Sequence, residues 1–199
     1  MQRLHDLSDR FHGDTVEAAV DWFVDSSAKR FREEIAKWPD GVFEAEAFAD
    51  HDPWGNRDVR ITVTVTVDGD RISVDFEGTD ARPELQAWSS FGNARGFTIT
   101  QIAAMLDPAI PKNEGFLESI VVRIPYGCVL NPPYGKPVSA GTHHLGTELG
   151  DAIALALAHV APEGCVPQTY KTGIPTVING TDPHNGQPFT DHSAEVYAG

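Results

Sequence analysis

The sequence predicts an α+β fold, in which an antiparallel or mixed sheet with a β-hairpin packs against two or three helices. Between residues 59 and 76, apolar residues alternate with polar ones, which is the period of a strand with one buried face. On both sides of this stretch, apolar residues recur at helical spacing, most clearly in residues 16–35 and 145–156. The residues beyond Pro162 contain too many glycines and prolines for a long helix and favour short strands joined by turns.

The first elements are two helices. Residues 1–12 carry apolar side chains at helical spacing, and Gly13 is expected to end this short amphipathic helix. Asp14, with Glu17 three positions later, outlines a capping box that starts a second helix running to about residue 37. The sequence Trp38-Pro39-Asp40-Gly41 then predicts a turn.

Strands follow this turn. Residues 43–47 alternate apolar and charged side chains, and the alternation resumes in residues 59–67. Asp68-Gly69 predicts a hairpin turn, after which residues 72–76 return on the other side.

The second half predicts a helix in residues 97–106, a loop at residues 111–115 and a strand in residues 119–124. A proline-rich loop then leads into a long helix that ends before Pro162. No linker or repeat divides the chain, so we expect residues 1–199 to be a single region. Residues 194–199 have the pattern of a strand entering a glycine turn, which indicates a piece of a larger subunit.

Net charge and cysteine usage narrow the classes of partner and compartment. The chain of 199 residues has a formal charge of −14 without a basic cluster to offset it, so we expect neither nucleic acid nor an anionic membrane as a partner. Cys128 and Cys165 lack CxxC spacing and predict buried thiols in a reducing cytoplasm, with a single disulfide as the alternative. No apolar run is long enough to cross a bilayer.

Residues 131–160 form the candidate catalytic junction, where the proline-rich loop meets the most hydrophobic helix. His143 and His144 are adjacent, so they do not share one ion on a helix or a strand. If the helix begins by Thr142, His144 shares a stripe with Glu148 and Asp151, opposite a buried stripe of apolar residues. We expect His143, His144 and Asp151 to be catalytic and assign no metal ligand within this chain. A solvated helix face is the alternative.

Two loops with Asn and Gly are candidates for substrate contact. Asn93 lies in the first, residues 91–96, and Asn113 in the second, residues 113–115. Both asparagines offer amide donors close to a helix end. Asn and Gly are also the ordinary residues of turns, which is the alternative interpretation.

Several short motifs occur in order along nearly the whole chain: Trp38-Pro39-Asp40-Gly41, Val74-Asp75-Phe76-Glu77-Gly78-Thr79, Ile110-Pro111-Lys112-Asn113-Glu114-Gly115, Pro125-Tyr126-Gly127-Cys128-Val129-Leu130-Asn131-Pro132, His143-His144 and Asp151-Ala152-Ile153 through Ala156-Leu157-Ala158. Together they resemble the hydantoinase B/oxoprolinase family. The resemblance implies the central part of a B-type subunit of an ATP-dependent enzyme. Such enzymes open cyclic amides (hydantoins, 5-oxoproline, lactams) or carboxylate ketones such as acetone and acetophenone.

The family resemblance also implies cofactors and partners. ATP is expected on a hydantoinase A-like partner subunit with an actin-like ATPase fold. A divalent metal is expected in the complete subunit, with ligands in a portion that precedes the matched region. We therefore expect the remainder of the B-type subunit and a small-molecule substrate as further partners, and an isolated chain that is inactive.

Two departures from the family pattern bear on the substrate. Residues 136–143 lack the arginine that often precedes the histidine, and Tyr126-Gly127-Cys128 replaces an acidic-Gly-small turn. A ketone carboxylase subunit and a non-catalytic assembly module are the alternatives to part of a cyclic-amide hydrolase.

Overall fold

The structure is a computed structural model that describes residues 2–51, 55–85, 88–138, 145–165 and 176–193. Its helices are α1 (Gln2–Phe11), α2 (Gly13–Ile35), α3 (Phe91–Ala104), α4 (Glu114–Glu118) and α5 (Gly146–Leu157), with a 3-10 turn at Pro162–Gly164. Its strands are β1 (Gly41–His51), β2 (Arg57–Asp68), β3 (Arg71–Asp75), β4 (Ile120–Arg123), β5 (Thr176–Thr181) and β6 (Pro188–Ser193). The predicted α+β class is confirmed.

Contacts within the chain define two units, Met1–Val166 and Pro167–Gly199. The second unit contains the antiparallel hairpin of β5 and β6, in agreement with the short strands expected there. The expectation that residues 1–199 form one region of a larger subunit stays a prediction.

The first unit is built on a four-stranded mixed sheet with the order β1-β2-β3-β4. The first three strands are antiparallel, and β4 lies parallel to β3. Alternate residues of β2 are buried, as the period of two predicted. The hairpin turn is formed by Gly69 and Asp70, because Asp68 still pairs with Arg71. Gly69 has a φ of 59° and donates its N–H to Asp40 Oδ1 over 2.7 Å, which fixes the turn before β1 against the hairpin.

Helices cover the sheet and complete the core. Helix α5 packs on β1 and β2, and α3 packs on α5. The C-terminal half of α2 packs on α4, where the rings of Phe31 and Phe116 meet edge to face at 4.9 Å between centroids. None of the described helices is both long and apolar enough to span a membrane.

Residues 76–80 connect the sheet to the loops of the candidate site. Thr79 is buried, and its Oγ1 accepts a hydrogen bond from the N–H of Thr62 and donates one to the Thr62 carbonyl, each over 3.2 Å. The Asp80 carbonyl accepts the N–H of Val129 over 2.9 Å. The family motif at residues 74–79 thus has a structural role. Its last residue, Thr79, is hydrogen-bonded to β2, and the next residue, Asp80, holds the segment before the proline-rich loop.

Three local predictions are wrong. Helix α2 begins at Gly13, and its N-cap is His12 at a φ of 68° without a side-chain cap, so Asp14 lies in the first turn and forms no capping box. Helix α3 begins at Phe91, because Ser90 Oγ accepts the N–H of Asn93 and starts the helix before the apolar pattern does.

The third correction concerns α4. The loop predicted around Asn113 contains α4, because the Asn113 side chain accepts the N–H groups of Gly115 and Phe116. Helix α5 begins at Gly146, and Leu145 directly before it has a left-handed φ of 64°. Thr142 and His144 lie outside the described residues, so the stripe drawn from His144 through Asp151 stays a prediction.

Candidate functional site

The proline loop, residues 131–138, is held at its start by Asn131. Asn131 donates from Nδ2 to the carbonyl of Ile124 over 3.0 Å, and its own carbonyl accepts the N–H of Gly127 over 2.8 Å. The residues just before the loop, Cys128 through Leu130, are buried. The loop therefore leaves a fixed part of the core.

Lys136 holds the other part of the proline loop. Its ammonium group lies 4.8 Å from the centre of the Trp88 ring and donates a hydrogen bond to the carbonyl of Pro83. Trp88 is buried, so the loop is fastened to the core by a cation–π contact and a hydrogen bond. Between these fixed points, Tyr134 is fully exposed.

The first turn of α3 lies beside the proline loop. Ser90 caps the helix, and Asn93 donates from Nδ2 to Ser89 Oγ over 2.8 Å. Ser89 is buried, and its N–H donates to the carbonyl of Val129 over 2.8 Å. These bonds link the start of α3 to the segment that precedes the loop.

A groove of about 680 Å³ separates the proline loop from the first turn of α3. Ser90 and Phe91 line one side, and all eight residues of the proline loop line the other. Its volume lies within the range of about 300–1,000 Å³ that is usual for small-molecule sites. The groove combines an exposed phenol, prolines and the N-terminus of α3.

Helix α5 packs closely on α3. A Cβ atom built on Gly146 would lie 2.6 Å from the ring of Phe97, and one on Gly150 would lie 3.3 Å from Gln101 Oε1. Both positions therefore require glycine or a local shift. These two glycines therefore set the distance between α5 and α3.

The carboxylates of α5 differ in their surroundings. Glu148 is buried in the first turn, where its Oε2 accepts the Thr147 hydroxyl over 3.1 Å. A carboxylate in this turn is stabilised by the helix dipole. Asp151, three residues further, is half-buried. Glu148 therefore does not lie on a solvated face.

His143 and His144 lie outside the described residues, so their catalytic role, together with that of Asp151, stays a prediction. Asn93 lies in the first turn of α3, next to the groove-lining Ser90 and Phe91 in sequence, but it does not itself line the groove. Asn113 is placed elsewhere. Its Nδ2 donates to Ser27 Oγ over 3.0 Å and to the Phe23 carbonyl over 3.3 Å, so its side chain joins α4 to α2. The structure does not bring the two asparagines to one site, and their substrate contacts stay predictions.

Sequence reasoning missed Ser89, Ser90 and Lys136. A serine three residues before Asn93 is a signal for a helix N-cap, and it could have revealed the start of α3. Lys136 carries no such signal, because its partners lie about fifty residues earlier in the chain.

Neither cysteine is activated as a nucleophile. Burial raises the pKa of the Cys128 thiol, an effect that hydrogen bonds from backbone N–H groups oppose. Burial and, to a smaller extent, the charge of Glu163 raise the pKa of Cys165. Both thiols are free and favour the protonated form. Cys128 is buried as predicted, whereas Cys165 is only half-buried.

Known proteins resemble this chain in sequence and in structure. A protein of Pseudomonas sp. strain NS671, named as the B-type subunit of a D-/L-hydantoinase, is 32% identical over 174 residues, which cover 81% of this chain and 29% of that protein. A 5-oxoprolinase of Pestalotiopsis fici is 26% identical over 167 residues, which cover 81% of this chain and 12% of the relative.

Among solved structures, the ATP-dependent caprolactamase from Pseudomonas jessenii matches with a TM-score of 0.82 and 26% identity, over 95% of this chain and 32% of that chain. An acetone carboxylase shares the fold, with a TM-score of 0.64 and 14% identity over 83% of this chain and 25% of that chain. This chain thus spans less than a third of the length of these relatives. The family model for hydantoinase B/oxoprolinase matches residues 1–199, and the chain belongs to the hydantoinase B/oxoprolinase family.

Proposed function

We propose that this chain is part of the catalytic B-type subunit of an ATP-dependent enzyme that opens cyclic amides such as hydantoins, 5-oxoproline or lactams. The groove between the proline loop and the first turn of α3 carries the proposal, because it has the volume of a small-molecule site and lies in a chain whose whole length matches the family. Relatives named as a hydantoinase subunit, a 5-oxoprolinase and a caprolactamase support this substrate class.

In this proposal the groove forms one wall of the active site. His143, His144 and Asp151 act as catalytic residues at the junction of loop and helix, and Asn93 positions the substrate from the first turn of α3. Asn113 is assigned to the packing of α4 on α2, because its amide nitrogen and oxygen are both engaged by protein groups.

ATP and a divalent metal are proposed to act from outside this chain. Within the described ranges, no three His, Cys, Asp or Glu side chains converge to hold a metal ion. The described residues alone therefore do not fit such an ion, and we assign no step through it. We propose that the metal ligands lie in the remainder of the B-type subunit, that ATP binds an actin-fold A-type subunit, and that the complex works in the cytoplasm.

Alanine substitutions in the complete complex test the catalytic assignment. His144→Ala and Asp151→Ala should each lower ring opening by about 100-fold or more, because general acid–base groups contribute at least that much. His159→Ala is the matched control, since His159 is exposed just after α5. Product formation from hydantoin, 5-oxoproline and caprolactam is measured with ATP, and circular dichroism checks folding. Wild-type turnover in both variants would remove the junction from the mechanism.

The same assay separates the alternatives. ATP consumption that requires bicarbonate and acetone or acetophenone would identify a ketone carboxylase subunit instead. Full ring-opening activity in Ser90→Ala, Asn93→Ala, His144→Ala and Asp151→Ala alike would assign the chain to assembly of the complex rather than to its chemistry.

A further inference from the structure

An apolar surface on the first two helices lies outside the proposed active site. It is formed by Leu7, Phe11, Val16, Val20, Trp22 and Phe23, and we call it the α1–α2 face. These residues line a groove of about 580 Å³ with almost no polar surface. Trp22 is 70% exposed and Val20 is 56% exposed. Soluble proteins seldom leave so many large apolar side chains together in water, so this face indicates an interaction surface.

The α1–α2 face continues the buried stripe of α2. Ser27, Phe31 and Ile35 are fully buried toward the C-terminal end of the helix. Moving toward the N-terminus at helical spacing, the same stripe reaches Phe23 and Val20, where it becomes exposed. The described core therefore ends before the apolar stripe of α2 does. Further polypeptide packed on this stripe would extend the core.

Relatives of this chain contain the additional polypeptide that such packing needs. The caprolactamase contains the fold of 95% of this chain in only 32% of its own length, and the hydantoinase relative is matched over 29% of its length. From this length and the interrupted stripe, we propose that the α1–α2 face packs against the remaining portion of the B-type subunit. The inference rests on the proposed place of this chain in such a subunit and is independent of substrate.

Charge argues against a second copy of this chain as the occupant. Asp14, Glu17, Asp21 and Asp25 follow one another at helical spacing on the other side of α2. The whole chain carries a formal charge of −14, so two copies meeting at this helix would repel each other. The α1–α2 face is itself apolar, so we expect the surface that covers it to be apolar as well.

The test compares one substitution in two settings. Val20→Glu is introduced into the chain alone and into the complete B-type subunit of which this chain is proposed to be part. Ala18→Glu is the control, because it adds the same charge at an exposed position of α2 outside the groove. Thermal unfolding is followed by circular dichroism, and sedimentation at several concentrations gives the oligomeric state.

We expect Val20→Glu to leave the unfolding temperature of the isolated chain unchanged and to lower that of the complete subunit by about 3 °C or more. Ala18→Glu should have no effect in either setting. An unchanged unfolding temperature of the complete subunit carrying Val20→Glu would overturn the proposal. The proposal would also fail if the isolated chain forms a dimer that Val20→Glu converts to monomers. None of these readouts uses activity, so a failed ring-opening assay leaves the test intact.

Discussion

Gly115→Ala should strongly destabilise the fold, because Gly115 is the point where α4 touches the backbone of α2. A Cβ atom on Gly115 would lie 2.1 Å from the Val24 carbonyl oxygen and 3.2 Å from the Ala28 nitrogen. The first distance is far shorter than an ordinary van der Waals contact, and backbone atoms cannot rotate away. The two helices must therefore separate.

The substitution introduces strain at the contact, and the separation of the helices weakens two interactions. Overpacking of this kind costs about 1–3 kcal/mol. The edge-to-face contact of Phe31 with Phe116 contributes about 0.5–1.5 kcal/mol, and the hydrogen bond from Asn113 to Ser27 contributes about 1 kcal/mol. We expect a loss of about 3–5 kcal/mol in the free energy of unfolding, which corresponds to about 10 °C in the unfolding temperature.

Urea unfolding followed by far-ultraviolet circular dichroism measures this loss. Gly96→Ala is the matched control, since Gly96 lies within α3 and its added methyl group would meet nothing within 4 Å. The control should gain about 0.5–1 kcal/mol from higher helix propensity. A loss below about 1 kcal/mol in Gly115→Ala would refute the close packing of α4 on α2.

Three further predictions concern single side chains. Lys136→Ala should accelerate thermolysin cleavage within the proline loop by about fivefold, because it removes about 1 kcal/mol of contact with Trp88; an unchanged rate would contradict this anchoring. Asn113→Ala should cost about 1–2 kcal/mol in urea unfolding, whereas Asn113→Asp, which keeps the capping oxygen, should cost less. The raised pKa of Cys128 implies stability that is present below the unfolded thiol pKa of about 8.5 and lost as the pH rises through the folded pKa. Cys128→Ala should abolish this alkaline loss in unfolding measured at several pH values, and an identical pH dependence would contradict it.

The parts of the fold that could be predicted from the sequence are those set by local pattern. The alternation in β2 and a glycine at the hairpin turn determine the register, because a shift of one residue would expose the buried valines. The buried stripe of α5 was predicted for the same reason, and Leu149 and Ile153 are both fully buried. Both patterns report burial directly.

The starts of helices were harder to predict because side-chain caps and rare backbone angles set them. Gly92 and Gly96 give the first turns of α3 a loop-like composition, which hid the cap at Ser90. The left-handed Leu145 has no sequence signal at all, since leucine rarely adopts a positive φ. The proline loop was predicted, but its fastening to Trp88 through Lys136 depends on tertiary contact.

The position of α5 relative to α3 changes what the candidate junction means. A site built from one helical stripe would depend only on the spacing of residues along α5. Glu148 is buried instead of facing solvent, and Leu145 has a left-handed φ directly before α5. The start of α5 is therefore positioned by packing between helices, and Gly146 sets the closest approach. It follows that the position of Asp151, a proposed catalytic residue on α5, depends on the contact between α3 and α5.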